Sequence, residues 1–174
     1  AALDYTDAVM LSAESAAGAY PIEAVTTMDN VARSVESDPT YRDIIESSRS
    51  ARRQTVADGI VAAAREIAET TDIAAICAFT SSGTTVSLVA RERPRVPIIA
   101  MTAEQATLRR LCLTWGAHCV LTPELARFKQ AVVNAAKAAR DFGFADETNQ
   151  IVVMAGVHFN VPGTTNILLI APCD

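Results

Sequence analysis

From residue 55 onward the sequence alternates short, almost wholly apolar runs with segments whose apolar residues recur at helical spacing. The runs at 73–79, 96–101, 118–121, 151–155 and 167–170 are too short for buried helices and read as strands. Between them lie helical stretches at 82–91, 103–113 and 124–141, the last with Leu125, Phe128, Val132, Ala135 and Ala139 on one side. A further helix precedes the first run. Its apolar face is Val56, Ile60, Val61, Ala64, Ile67 and Ala68, and Thr55-Val56-Ala57-Asp58 forms a capping box with aspartate in the glutamate position. Strands without polar alternation must be covered on both faces. The pattern therefore predicts an α/β three-layer sandwich around a mostly parallel, five-stranded sheet. The segment between the last two runs is too short for a crossover helix, so the final strand is expected to be antiparallel.

The first 54 residues read differently. Residues 8–11, Ala-Val-Met-Leu, predict a strand, and a small-residue loop follows at 12–19. Tyr20-Pro21-Ile22-Glu23 then opens a helix with proline in its first turn. Ile22, Val25, Met28, Val31, Ala32 and Val35 form its apolar face. Residues 38–54 are polar and charged, with a proline and a serine/arginine stretch, and read as a linker. The expected organisation is a strand–loop–helix unit at 1–37, a linker at 38–54 and an α/β domain at 55–174. The chain opens on Ala1-Ala2-Leu3-Asp4 without an initiator methionine, which reads as a cut within a larger protein.

Composition narrows the function classes. The formal net charge is -5 and the pI about 5.0 over 174 residues, which argues against nucleic acid as a partner. No apolar run is long enough to span a bilayer, so no membrane partner is expected. Cys77, Cys112, Cys119 and Cys173 fit neither a zinc site nor a disulfide framework, and the two histidines, His118 and His158, are far apart. A reducing, cytoplasmic setting is the expectation.

Three segments are candidates for chemistry. Thr80-Ser81-Ser82-Gly83-Thr84-Thr85 follows a buried strand and precedes a helix, where an open α/β sheet presents its ligand loops. Every side chain around Gly83 carries a hydroxyl, and the helix start adds unpaired N–H groups and partial positive charge. Phosphate binding needs such donors, but the same residues also serve as an ordinary helix cap. The glycine spacing of a dinucleotide fingerprint and the lysine of a Walker loop are absent. The second segment, 156–166, contains His158, Pro162, Gly163, Thr164 and Asn166; it is longer than a hairpin needs and fits a ligand flap as well as a turn. The third is Ser12-Ala13-Glu14-Ser15 at the end of the first expected strand. Alone, Glu14 reads as a helix-start or salt-bridge residue. No nucleophile elbow, cysteine–histidine pair or metal motif is present.

Taken together, these segments resemble pyruvate kinase. Residues 7–25, Asp-Ala-Val-Met-Leu-Ser-Ala-Glu-Ser-Ala-Ala-Gly-Ala-Tyr-Pro-Ile-Glu-Ala-Val, are similar to that family's D-A-V-M-L-S-G-E-T-A-x-G-x-Y-P-x-E-A-V, at the eighth strand and following helix of its β/α barrel. Arg93-Pro94-Arg95-Val96-Pro97-Ile98-Ile99-Ala100-Met101-Thr102 resembles R-P-x-x-P-I-I-A-x-T, and Pro162-Gly163-Thr164-Thr165-Asn166 resembles P-G-T-T-N. The resemblance implies that 1–37 is a remnant of the barrel and 55–174 the C-terminal regulatory domain. It implies an enzyme of glycolysis that passes phosphate from phosphoenolpyruvate to ADP, giving pyruvate and ATP, with Mg2+ and K+ held by parts of the barrel outside this chain. It further implies tetramer assembly and binding of a phosphorylated small-molecule effector, gripped by Thr80, Ser81, Ser82, Gly83, Thr84 and Thr85 and closed over by the loop of Pro162, Gly163 and Thr164. Ser12 and Glu14 would then sit at the barrel's active-site edge, and the chain alone, lacking the catalytic and metal-binding residues, would be inactive. Thr84 replaces the arginine of the family's phosphate loop, which removes a charge-assisted donor; Ala13 and Ser15 replace the usual glycine and threonine. A free-standing phospholigand-binding module, starting near Thr55, is the alternative. A nucleotide-dependent oxidoreductase rests on fold analogy alone.

Overall fold

The computed structural model describes residues 2–47, 54–124, 127–157 and 164–174. It divides into two compact units, Ala1–Ala51 and Arg52–Asp174.

The first unit is helical. A 3-10 turn at Ala2–Asp4 is followed by α1 (Ala13–Ala16), α2 (Pro21–Glu36) and α3 (Pro39–Ser47). Proline stands in the first turn of α2 as expected, where its missing N–H costs no hydrogen bond. Residues 8–11 do not form the predicted strand. A strand exists only by exchanging hydrogen bonds with a neighbour, and the described residues of this unit contain no other strand. Within the stretch expected to be a linker, α3 is ordered by a local device. Asp38 accepts hydrogen bonds from the Thr40 N–H at 2.8 Å and the Thr40 hydroxyl at 2.6 Å, and Pro39 starts the helix. Tyr41 and Ile45 of α3 are buried, and the Tyr5 hydroxyl donates to the Ile45 carbonyl at 2.5 Å.

The second unit is the predicted sandwich. It comprises α4 (Val56–Thr70), β1 (Ile73–Phe79), α5 (Thr84–Arg91), β2 (Ile98–Thr102), α6 (Gln105–Leu111), β3 (Ala117–Leu121), α7 (Phe128–Asp141), β4 (Gln150–Gly156) and β5 (Thr165–Pro172). The strand order is β3-β2-β1-β4-β5. β1 is central, with Cys77 opposite Ile99 of β2 and Val153 of β4, both parallel. β5 alone runs antiparallel, pairing Met154 with Leu168.

Successive residues of the inner strands feed two separate cores, as the pleat requires. Ala75, Cys77, Ile99, Ile151 and Val153 pack against Ala131, Ala135 and Ala139 of α7. Ile76, Ala78, Ile98, Val152 and Met154 pack against Val61 and Ala64 of α4, Val86 and Val89 of α5, and Leu111 of α6. The alanines of α7 let its backbone lie close to the sheet. The Thr55 cap of α4 forms as read: its hydroxyl accepts from the Asp58 N–H at 3.1 Å and also meets the Asp58 carboxylate. The other Asp58 oxygen takes Arg91 of α5 at 2.5 Å, tying the two helices together. Among the described residues, no helix is long and apolar enough to cross a membrane.

Candidate functional site

At the C-terminal end of β1 the Thr80 N–H is held by the Met101 carbonyl of β2 at 3.0 Å, which fixes where the loop leaves the sheet. The chain then turns through Gly83, whose φ of 91° is left-handed. Only glycine takes that conformation without steric cost, and a Cβ there would also approach Leu111 at 3.2 Å. The turn is locked by the Gly83 N–H donating to the Thr80 hydroxyl at 2.8 Å. α5 begins at the next residue, so its first-turn amides, which no helical turn can satisfy, face the loop. Ser82 and Thr84 bring their hydroxyl oxygens to 3.0 Å from each other at the outer rim; Thr84 is exposed, Thr80, Ser81 and Ser82 are half-buried, and Thr85 is buried.

Two neighbours complete the loop; Thr107 and Arg110 of the first were not singled out from the sequence, whereas Thr165 of the second belongs to the segment 156–166. From α6, the buried Thr107 hydroxyl donates to the Ser81 carbonyl at 2.8 Å, and the exposed Arg110 guanidinium donates to the Ser82 carbonyl. From the first residue of β5, the Thr165 hydroxyl meets that of Thr85 at 2.6 Å in a buried contact. Thr107 and Arg110 stand three apart, so they share a helix face. That face points at the loop because β2, which leads into α6, lies beside β1.

The connection between β4 and β5 opens beside Thr165. A Cβ on Gly156 would stand 2.5 Å from the Thr164 hydroxyl and 2.8 Å from its carbonyl oxygen, so glycine is required for this close approach. Asn166 then closes the mouth: its side-chain amide donates to the Val157 carbonyl at 2.8 Å and its oxygen accepts from the Val157 N–H at 2.9 Å. Pro162 and Gly163, together with His158, lie outside the described residues.

Comparison with known proteins decides the family. The family model described as "Pyruvate kinase, alpha/beta domain" matches residues 58–171. A pyruvate kinase of Methylorubrum extorquens is 43% identical over 165 residues, covering 95% of this chain and 34% of that protein. One from Clostridium acetobutylicum is 34% identical over 168 residues, covering 97% and 36%. The crystal structure of a pyruvate kinase from Cryptosporidium parvum superposes with a TM-score of 0.82 at 25% identity, covering 95% of this chain and 33% of that one. The chain belongs to the pyruvate kinase family. It spans about a third of the length of the curated relatives it matches.

Thr84 of the loop is exposed, and Arg110 brings a guanidinium to the same loop from α6. In the first unit, Ser12 precedes α1 and its N–H donates to the Glu14 carboxylate at 3.0 Å. That carboxyl is held below its usual range by the Glu14 backbone N–H first and the Ser12 N–H second, the arrangement of a side chain closing its own helix start. Among the described residues no cluster of three or more His, Cys, Asp or Glu is placed to hold a metal ion.

Proposed function

We propose that the second unit is the effector-binding and assembly domain of a pyruvate kinase, and that residues 1–37 are the last strand–helix unit of the catalytic barrel. On this reading the full enzyme is cytoplasmic and transfers phosphate from phosphoenolpyruvate to ADP. Its Mg2+ and K+ belong to barrel residues outside this chain, so the chain by itself forms no pyruvate from phosphoenolpyruvate and ADP.

The observation that carries effector binding is the loop 80–85. It combines a left-handed glycine, hydroxyls on every flanking side chain, the amides of a helix start and the Arg110 guanidinium. That set matches a phosphate group in hydrogen-bonding capacity and in charge. From the described end of the β4–β5 connection, Thr164 lies against Gly156 and Thr165 against Thr85 of the same loop. For assembly, β5 is an edge strand with Leu169 and Ile170 exposed, which gives it backbone and apolar surface to offer another subunit.

Calorimetric titration with inorganic phosphate, AMP, ribose 5-phosphate, glucose 6-phosphate and fructose 1,6-bisphosphate tests the assignment. At least one of these phospholigands is expected to bind. Ser82→Ala combined with Thr85→Ala should then weaken it about tenfold or more, the scale of a lost hydrogen bond to a charged group. Arg110→Gln should do the same. Unchanged affinity in these variants would reject the loop as the site.

A further inference from the structure

Three successive carbonyls of the loop 80–85 are tied down by the helices around it. The Ser81 carbonyl accepts from the Thr107 hydroxyl at 2.8 Å and the Ser82 carbonyl from the Arg110 guanidinium, both on α6. The Gly83 carbonyl accepts the Ser87 N–H at 3.0 Å and the Ser87 hydroxyl at 3.2 Å. A trans peptide is planar and sets its N–H opposite its C=O. Each carbonyl drawn to a helix therefore turns the next amide the other way. The Gly83 N–H so turned is taken by the Thr80 hydroxyl, whereas among the described residues nothing accepts from the Ser82 N–H. Of the three anchors only Thr107 is buried. It stands one turn from Leu111 on the same face of α6, and Leu111 fixes that face in the α4–α5 core. A carbonyl can only accept, so the single hydroxyl hydrogen of Thr107 is committed to Ser81.

We propose that Thr107 is a positioning residue for the anion site: by holding the Ser81 carbonyl it aims the Ser82 N–H at a bound phosphate. The inference rests on the reading of the loop 80–85 as a phosphate site, and adds to that site a residue that does not touch the ligand. Its effect is electrostatic. The 82–83 peptide is held at both ends, by Arg110 and by Thr80. The 81–82 peptide is held among the described residues at its carbonyl alone. Without the Thr107 hydroxyl that peptide can rotate, and it would then turn the negative end of its dipole toward the anion in place of a donor. The site would lose one hydrogen bond to a charged group and gain a repulsion.

The test follows the backbone amide resonances of the native chain by nuclear magnetic resonance as inorganic phosphate is added. The Ser82 amide should shift saturably, together with other amides of the loop. Thr107→Val should weaken phosphate about tenfold, the scale of one hydrogen bond to a charged group, and leave the Ser82 amide unmoved. Thr107→Ser should restore both, because serine keeps the hydroxyl and drops the methyl; a role in packing alone would not be rescued this way. If the loop amides respond and Thr107→Val binds phosphate as tightly as the native chain, the phosphate site stands and the positioning role is overturned. If phosphate moves no loop amide of the native chain, the site itself falls and this inference with it. A native chain whose other loop amides respond while Ser82 does not would also overturn the proposal. That last measurement needs no substitution, so misfolding of a variant cannot mask the answer.

Discussion

Helices α2 and α4 carry the same kind of apolar stripe and start on equally clear signals, a first-turn proline in one and a threonine cap in the other. Only α4 covers its stripe. Val61, Ala64 and Ala68 are buried against the sheet, whereas α2 buries no residue, and Ile22, Val25 and Val31 remain 77%, 49% and 58% exposed. Periodicity therefore reports a face that needs a partner and says nothing of where the partner is. In the second unit the partner is the sheet that the same chain supplies. In the first it is not among the described residues.

The sharpest way to break this contrast is to damage the second unit and then the first. Ile151→Ala, at a fully buried site in the α7 core, should lower stability by about 2–5 kcal/mol. Trp115 is the single tryptophan and lies in the second unit under Arg93, 4.7 Å from its guanidinium. Its fluorescence in a urea titration therefore reads that unit alone. Gly83→Ala should cost less, roughly 1–2 kcal/mol for an L-residue forced into the left-handed region, and should also weaken any phospholigand measured by calorimetry. The smallest effect is expected in α2. Val25→Ala should move stability by no more than about 0.5 kcal/mol, measured by far-ultraviolet circular dichroism, with the Trp115 transition unchanged. A cost at Val25 as large as that at Ile151 would show that the α2 stripe is covered, and the contrast would fail.

The sheet was legible because strands buried on both faces leave continuous apolar runs, as 73–79 and 151–155 do. The antiparallel last strand followed from connection length alone. The strand expected at 8–11 was not realised, because apolar residues can request a strand but only a neighbour can complete one. Helix α3 was missed in the polar stretch 38–54, although Asp38-Pro39 is a capping pair; charged composition outweighed the local signal. Helix starts were placed up to four residues early, as at 124–141 against Phe128–Asp141. In the candidate site, the loop 80–85 could be read because its donors are contiguous. Thr107 and Arg110 could not, since what brings them to the loop is the order of strands in the sheet rather than any spacing in the chain; Thr165 was read within the segment 156–166, but not its contact with Thr85.

The contact between Thr85 and Thr165 has a directional consequence. At 2.6 Å the two oxygens have room for one hydrogen between them, and either hydroxyl can supply it. An anion that draws the Thr85 proton toward itself removes that choice: Thr165 must then turn its own hydrogen inward. Occupancy of the loop would thus be written as a polarity at the first residue of β5, and neither side chain would need to move.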